Sequence, residues 1–172
     1  ERLSLLIVDD NTDLAENIKE ILEDEGFEAT IAADGEQALA RIDDGAFDLV
    51  ITDIRMPGIN GVELLRQIND RVPGTPVVMM TAYSQDSLLQ EAQVEAALDI
   101  LSKPVDFDRL HDSFERIAHP RSRVLLVEDD PETRVAVMQT LQSMDGVVAC
   151  PAASARHAER MAERVSLDAA II

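Results

Sequence analysis

Short apolar runs and amphipathic segments alternate five times along the first two thirds of the chain. The pattern predicts strands at 3–8, 28–33, 48–52, 76–80 and 98–102. It predicts helices at 12–25, 35–44, 61–70, 84–95 and 106–118. Continuous apolar strands joined by helices are typical of a parallel sheet that is covered on both faces. The expected fold is therefore α/β, with a doubly wound five-stranded parallel sheet.

A second, shorter series of elements follows. Strands are predicted at 124–128, 147–151 and 168–172, with helices at 131–144 and 154–165 between them. The short polar segment 119–123 contains Pro120, which discourages one helix from running through it. We therefore expect a domain over residues 1–118, a linker over 119–123, and the β-α-β-α-β half of a similar domain over 124–172.

The two series share an acidic strand end. Val8-Asp9-Asp10 in the first corresponds to Val127-Glu128-Asp129 in the second. Residues 168–172 correspond to 48–52, so that the counterpart of Asp53 would be the next residue. We expect a complete site in the first series only, and an incomplete second copy in which the chemistry of the first does not occur.

Composition excludes several classes of protein. The net charge of −19, from 34 acidic and 15 basic residues, argues against direct binding of nucleic acid, which relies on lysine and arginine at phosphates. No apolar stretch approaches the length that crosses a bilayer, and no secretion signal opens the sequence. The single cysteine, Cys150, is expected to be buried, and a cytoplasmic location without membrane contact fits it.

Polar side chains follow the apolar strands of the first series. Asp9 and Asp10 end the first strand, Asp53 the third, Thr81 the fourth and Lys103 the fifth. The carboxyl ends of parallel strands form the ligand-binding edge of such a sheet. Carboxylates gathered there repel one another, and a divalent cation removes that conflict. An all-oxygen set suits Mg²⁺.

Lys103 and the hydroxyl of Thr81 are expected to contact an anion beside that metal. An oxygen nucleophile, a metal ion and a cation paired with a hydroxyl are the parts that phosphoryl transfer requires. The set therefore predicts phosphoryl-transfer chemistry at this edge of the sheet.

The motifs that carry these residues resemble a known family. They are Val8-Asp9-Asp10, Asp53-Ile54-Arg55-Met56-Pro57-Gly58 with Asn60-Gly61, Met80-Thr81-Ala82, and Lys103-Pro104. Residues 1–118 resemble a response-regulator receiver domain of two-component signalling. The sequence around Asp53 and Lys103 is most similar to that of receivers of the nitrogen-regulatory type. Residues 124–172 resemble the first half of another receiver. The resemblance implies a flavodoxin-like fold.

The resemblance also implies a role for each site residue. Asp53 would accept a phosphoryl group from a phosphohistidine. Asp10, Asp53 and the backbone carbonyl of Arg55 would bind Mg²⁺ directly, while Asp9 would act mainly through water. Lys103 would pair with the phosphoryl group and Thr81 would move toward it. The Lys103–Pro104 peptide bond is expected to be cis.

At one position the sequence departs from the family pattern. Receivers commonly carry Tyr or Phe three residues before the lysine, where this chain has Ile100. The usual coupling of Thr81 to a rotating aromatic ring is therefore not expected in its ordinary form. Tyr83, two residues after Thr81, is a candidate for partly covering the site but is not assumed to replace the missing ring. For the Arg55 side chain two positions are left open, one at the phosphoryl group and one in solvent. Leu88, Ala92 and Ile100 are either part of a signalling face or core.

As a receiver, the chain would be a switch that catalyses its own phosphorylation and dephosphorylation. Its expected partner is a sensor histidine kinase or a histidine phosphotransfer protein, and a homodimer is left open. The alternatives are the receiver portion of a hybrid histidine kinase, or of a regulator with an output domain outside this chain. An aspartyl-phosphate phosphatase is disfavoured, because Arg55 stands where such enzymes typically carry a second Asp.

Overall fold

Two parallel sheets form the framework of the chain in a computed structural model that describes residues 2–82, 88–95, 97–118, 122–144 and 146–172. The first sheet has five strands in the order β2-β1-β3-β4-β5. They are β1 (Ser4–Val8), β2 (Glu28–Ala32), β3 (Leu49–Asp53), β4 (Val77–Thr81) and β5 (Asp99–Ser102). The predicted doubly wound five-stranded sheet is confirmed.

Four described helices join these strands, and a fifth follows β5. They are α1 (Thr12–Asp24), α2 (Gly35–Asp44), α3 (Gly61–Arg71), α4 (Leu88–Val94) and α5 (Phe107–Ala118). The first three begin at Asn11, Asp34 and Asn60, whose side chains accept backbone N–H groups of the first turn. None of the described helices combines the length and the apolar character of a membrane-spanning helix.

The core lies on both faces of this sheet, because successive strand residues point in opposite directions. On one face, Leu6, Val8, Val50 and Met79 pack against α2 and α3. On the other, side chains from β1, β3 and β4 pack against α1 and α5. The strands are thus buried on both sides, and only their ends remain for polar chemistry.

A second sheet has three strands in the order β7-β6-β8. Its elements are β6 (Ser122–Val127), α6 (Pro131–Gln142), β7 (Val147–Ala152), α7 (Ala155–Ala162) and β8 (Ala169–Ile171). Met138 and Leu141 of α6 pack on one face. Ala158 and Met161 of α7 pack on the other, beside the buried Cys150.

The second sheet repeats the first in local detail. In the first, the Asp48 carboxylate accepts the backbone N–H of Ser4 at 2.8 Å. In the second, Asp168 accepts that of Arg123 at 2.7 Å. The strand order matches as well, because β7-β6-β8 reproduces β2-β1-β3. The repeat read from the acidic strand ends is therefore also a repeat of backbone geometry.

Several element boundaries differ from expectation, most clearly those of β6 and α7. Strand β6 begins at Ser122, inside the segment predicted as a linker, because the backbone N–H of Ser122 pairs with the carbonyl of Gly146. Helix α7 ends at Ala162 rather than 165, where the chain turns back on Met161. Helix α4 is described from Leu88, and the predicted start of that helix lies outside the described residues, as do residues 119–121.

Gly61 allows α3 to approach the end of β3. A Cβ atom at this position would collide with the carbonyl oxygen of Asp53 and lie 3.0 Å from the Cα of Ile54. We expect Gly61→Ala to lower the free energy of unfolding by about 1–3 kcal/mol, the usual cost of overpacking. Urea denaturation measures it.

Gly45→Ala is the matched control. A Cβ there would lie 3.6 Å from the carbonyl oxygen of Arg41, and the glycine has an extended φ of −149°. Its stability should be unchanged or slightly raised. Equal stabilities of the two variants would contradict the packing argument.

Candidate functional site

The carboxyl ends of four strands bring the predicted polar residues together. Asp9 follows β1, Asp53 ends β3, Thr81 ends β4 and Lys103 follows β5. Backbone pairing extends past the strands, since the N–H of Lys103 donates to the carbonyl of Thr81 at 2.7 Å. The backbone of the sheet therefore sets the relative positions of these residues, independently of their side-chain contacts.

The ammonium group of Lys103 lies between two carboxylates. Its Nζ is 2.8 Å from Oδ2 of Asp9 and 3.1 Å from Oδ2 of Asp53. The Asp9 side chain is fully buried, and those of Asp53 and Lys103 are 12% and 17% exposed. Charges this poorly solvated are costly unless they are paired, so Lys103 stabilises both acids.

A third carboxylate completes an acidic cluster. Asp9, Asp10 and Asp53 each offer one oxygen, and these oxygens lie within 4.8 Å of one another. Asp10 is exposed, whereas Asp9 and Asp53 are buried. Carboxylate oxygens with an open, hydrated side fit Mg²⁺, which usually binds through one or two carboxylates and keeps several waters.

The protonation equilibria reflect this crowding. Burial raises the pKa of Asp53 above its ordinary value, against the opposing influence of Lys103, and the charge of Asp9 adds to the increase. Burial lowers the pKa of Lys103, but its hydrogen bonds to Asp9 and Asp53 outweigh burial and raise it overall. The ionised Asp53 carboxylate is thus less favourable here than in water, and a further cation would stabilise it.

Thr81 and the backbone of Arg55 are also found at the site. Thr81 is buried at the end of β4. The backbone N–H of Arg55 donates to the Asp53 carboxylate, while the Arg55 side chain is exposed. The Lys103–Pro104 bond is cis, as expected. Tyr83 lies outside the described residues.

The residues proposed for a signalling face divide between two environments. Ala92 is completely buried and belongs to the core. Leu88 and Ile100 are partly buried and pack against the same apolar cluster. An aliphatic side chain therefore fills the position where receivers commonly carry an aromatic ring.

The second acidic pair has the same turn but different surroundings. The Glu128 carboxylate accepts the backbone N–H of Asp130 at 3.0 Å, as Asp9 accepts that of Asn11 at 2.9 Å. Glu128 is only half-buried and Asp129 is exposed. Within the described ranges, the three acids at Asp53 are the only group placed to share a cation.

The direct pairing of Lys103 with Asp9 was not predicted from the sequence. Lys103 was expected to meet an anion, and Asp9 to act mainly through water. The position of both residues at strand ends indicates that they are neighbours. Only the side-chain geometry shows that one ammonium group reaches both acids. The contact of Gly61 with the Asp53 backbone was also missed, although the Asn60-Gly61 pair marks the start of α3.

Comparison with known proteins agrees with this geometry. The family profile described as response regulator receiver domain matches residues 5–115. A response regulator receiver protein of Anaeromyxobacter sp. (strain Fw109-5) is 39% identical over 91% of this chain and 65% of its own length. The transcriptional regulatory protein ZraR of Klebsiella oxytoca is 36% identical over 80% of this chain and 31% of its own.

Solved structures show the same likeness. A CheY-like receiver domain protein from Methanospirillum hungatei JF-1 is 34% identical, with a TM-score of 0.65 over 69% of this chain and 95% of that one. By contrast, the chain spans less than two thirds of the length of each of the two curated relatives named above. The five-stranded sheet, the acidic cluster and the family match together show that this chain belongs to the response regulator receiver family of two-component signalling.

Proposed function

We propose that Asp53 accepts a phosphoryl group from a sensor histidine kinase or a histidine phosphotransfer protein. The observation that carries this proposal is the Asp53 carboxylate, which lies 3.1 Å from Lys103 Nζ inside a cluster of three acids. Receivers are phosphoacceptor switches rather than classical enzymes that convert a separate substrate, and phosphorylation on Asp is typical of the family. Phosphorylation of Asp53 would change the surface of the domain, and the changed surface would regulate an output.

The proposed transfer involves one bond made and one broken. An oxygen of the Asp53 carboxylate attacks the phosphorus of the phosphohistidine, and the P–N bond breaks as the P–O bond forms. The imidazole leaves with the electron pair and takes up a proton. Water later attacks the acyl phosphate, which returns the Asp53 carboxylate and inorganic phosphate. The chain itself promotes both steps by positioning charges.

Lys103 and Thr81 supply those charges and dipoles. The Lys103 ammonium group already touches Asp53, so that a phosphoryl group attached there would lie within its reach. The hydroxyl of Thr81 is proposed to donate to a phosphoryl oxygen. Mg²⁺, when bound, would neutralise charge on the phosphoryl group. Asp10, Asp53 and the Arg55 carbonyl are proposed to hold it directly, with Asp9 acting mainly through water.

The setting of the protein is proposed on more general grounds. A phosphohistidine donor and the single free cysteine, Cys150, support a cytoplasmic location. The net charge of −19 disfavours direct contact with nucleic acid by these residues. The output and any self-association would belong to the whole protein. The relative ZraR is itself a transcriptional regulatory protein of which this chain spans 31%.

The first experiment locates the phosphoryl group. With Mg²⁺ and acetyl phosphate, mass spectrometry of acid-quenched peptides should place one phosphate on Asp53. Asp53→Asn should reduce labelling to background, because an amide is a far weaker nucleophile than a carboxylate, and chelation of Mg²⁺ should do the same in the unaltered chain.

Asp129→Asn serves as the matched control, because it removes a strand-end carboxylate from the second sheet only. Its labelling should equal that of the unaltered chain. Phosphate on any residue other than Asp53, or labelling that is independent of Mg²⁺, would refute the proposal.

A second experiment tests the charge balance at Lys103. Lys103→Met leaves Asp9 and Asp53 close together without their cation, and we expect the free energy of unfolding to fall by about 3 kcal/mol. Mg²⁺ should restore much of this loss, because it supplies another cation to the same carboxylates. Urea denaturation with and without Mg²⁺ measures both effects.

Lys19→Met provides the comparison. Lys19 pairs with Glu23 on the surface at 3.8 Å, and such pairs contribute about 0–1 kcal/mol. Its loss of stability should be small and insensitive to Mg²⁺. A similar, Mg²⁺-independent loss in both variants would show that Lys103 does not balance the buried acids.

A further inference from the structure

The second sheet is seated on the first through helix α6. This helix lies alongside α4, and the Gln142 amide at its last turn donates to two backbone carbonyls of the segment between α4 and β5. Its Nε2 is 3.4 Å from the oxygen of Ala97 and 3.3 Å from that of Leu98. An amide that serves two carbonyls ties the end of α6 to this segment.

An apolar contact accompanies these hydrogen bonds. Val135 and Met138 of α6 line one side of a crevice, and Leu98 and Ile100 line the other. Ile100 is half-buried with α6 in place. The aliphatic side chain at the position where receivers commonly carry an aromatic ring thus lies at the contact between the two sheets.

The contacted segment leads directly to the phosphoacceptor site. Strand β5 runs from Asp99 to Ser102, and Lys103 follows it. Ser102 is the register partner of Thr81, and the N–H of Lys103 donates to the carbonyl of Thr81. Movement of Thr81 or Lys103 toward a phosphoryl group would therefore act on a strand whose other end is held by α6.

Helix α4 is held from its other flank by an ion-pair cluster. Arg66 of α3 binds Glu95 at 2.8 Å and Glu91 at 3.1 Å, and Asn69 donates to the Glu95 carbonyl at 3.1 Å. The segment that joins α4 to β5 consequently lies between the Arg66 and Asn69 contacts from α3 on one side and the docked α6 on the other. Any displacement of that segment must break one set of contacts or the other.

We propose that α6 is a built-in partner of the α4–β5 surface, and that its docking and the phosphorylation of Asp53 oppose each other. This inference rests on the proposed function of Asp53. The docked arrangement is that of a chain whose Lys103 bridges two free carboxylates. A contact that favours this arrangement disfavours the phosphorylated one, and linkage makes the effect reciprocal. The second sheet therefore restrains the switch of the first.

The test replaces a donor by an acceptor. Gln142→Glu is nearly isosteric but places a carboxylate against the carbonyls of Ala97 and Leu98, so that docking weakens. Ala136→Glu is the matched control, because it adds the same charge to α6 at an exposed position outside the lining of the crevice. Circular dichroism should show that both variants are folded.

Hydrogen–deuterium exchange of the unphosphorylated proteins measures docking itself. Amides of residues 97–101 and of the end of α6 should exchange faster in Gln142→Glu than in the unaltered chain or in Ala136→Glu. Equal exchange in all three proteins would overturn the docking part of the proposal, whether or not Asp53 is phosphorylated.

Phosphorylation at limiting acetyl phosphate measures the coupling. The ratio of phosphorylated to free Asp53 should rise about two- to tenfold in Gln142→Glu, the range expected for the loss of one neutral hydrogen bond. Ala136→Glu should match the unaltered chain. A ratio in Gln142→Glu equal to or below that of the unaltered chain would overturn the coupling. Absence of phosphate on Asp53 in the unaltered chain would instead refute the proposed function, and the coupling with it.

Discussion

The ammonium group of Lys103, held between the carboxylates of Asp9 and Asp53, is the interaction on which the site depends. A parallel sheet with both faces covered leaves only its strand ends for polar groups, and these ends bring acids close together. Without a cation, such acids resist ionisation and destabilise the fold. Lys103 removes part of that cost, and the open side at Asp10 leaves room for a metal ion to remove more.

The convergence of these residues could be predicted because the rule behind it concerns the backbone alone. Apolar runs define the strands, and each site residue stands where a run ends. The helix starts predicted at 12, 35 and 61 are also those of the structure, where Asn11, Asp34 and Asn60 accept N–H groups of the first turn. The family resemblance then supplied roles for the residues that position alone could not assign.

Other features depend on side-chain reach and on the placement of one sheet against another, which no periodicity records. The Lys103–Asp9 contact and the seating of Gln142 on Ala97 and Leu98 are of this kind. The start of β6 was missed because Ser122 and Arg123 are polar, yet both pair through their backbones with neighbouring segments. The second sheet thus repeats the scaffold of the first while its acids stand in a more exposed setting.

Asp53 is the proposed phosphoacceptor. Lys103, which contacts the Asp9 and Asp53 carboxylates in the free chain, is proposed to turn to the phosphoryl group when it is attached. A crystal structure of the chain with Mg²⁺ and beryllium fluoride, which mimics a phosphoryl group on a carboxylate, tests both parts at once. In line with this proposal, we expect the beryllium to be bonded to the Asp53 carboxylate, Mg²⁺ to lie beside Asp10, and Lys103 Nζ to point to a fluorine. A fluoride bound elsewhere, or a Lys103 that still bridges Asp9 and an unmodified Asp53, would contradict it.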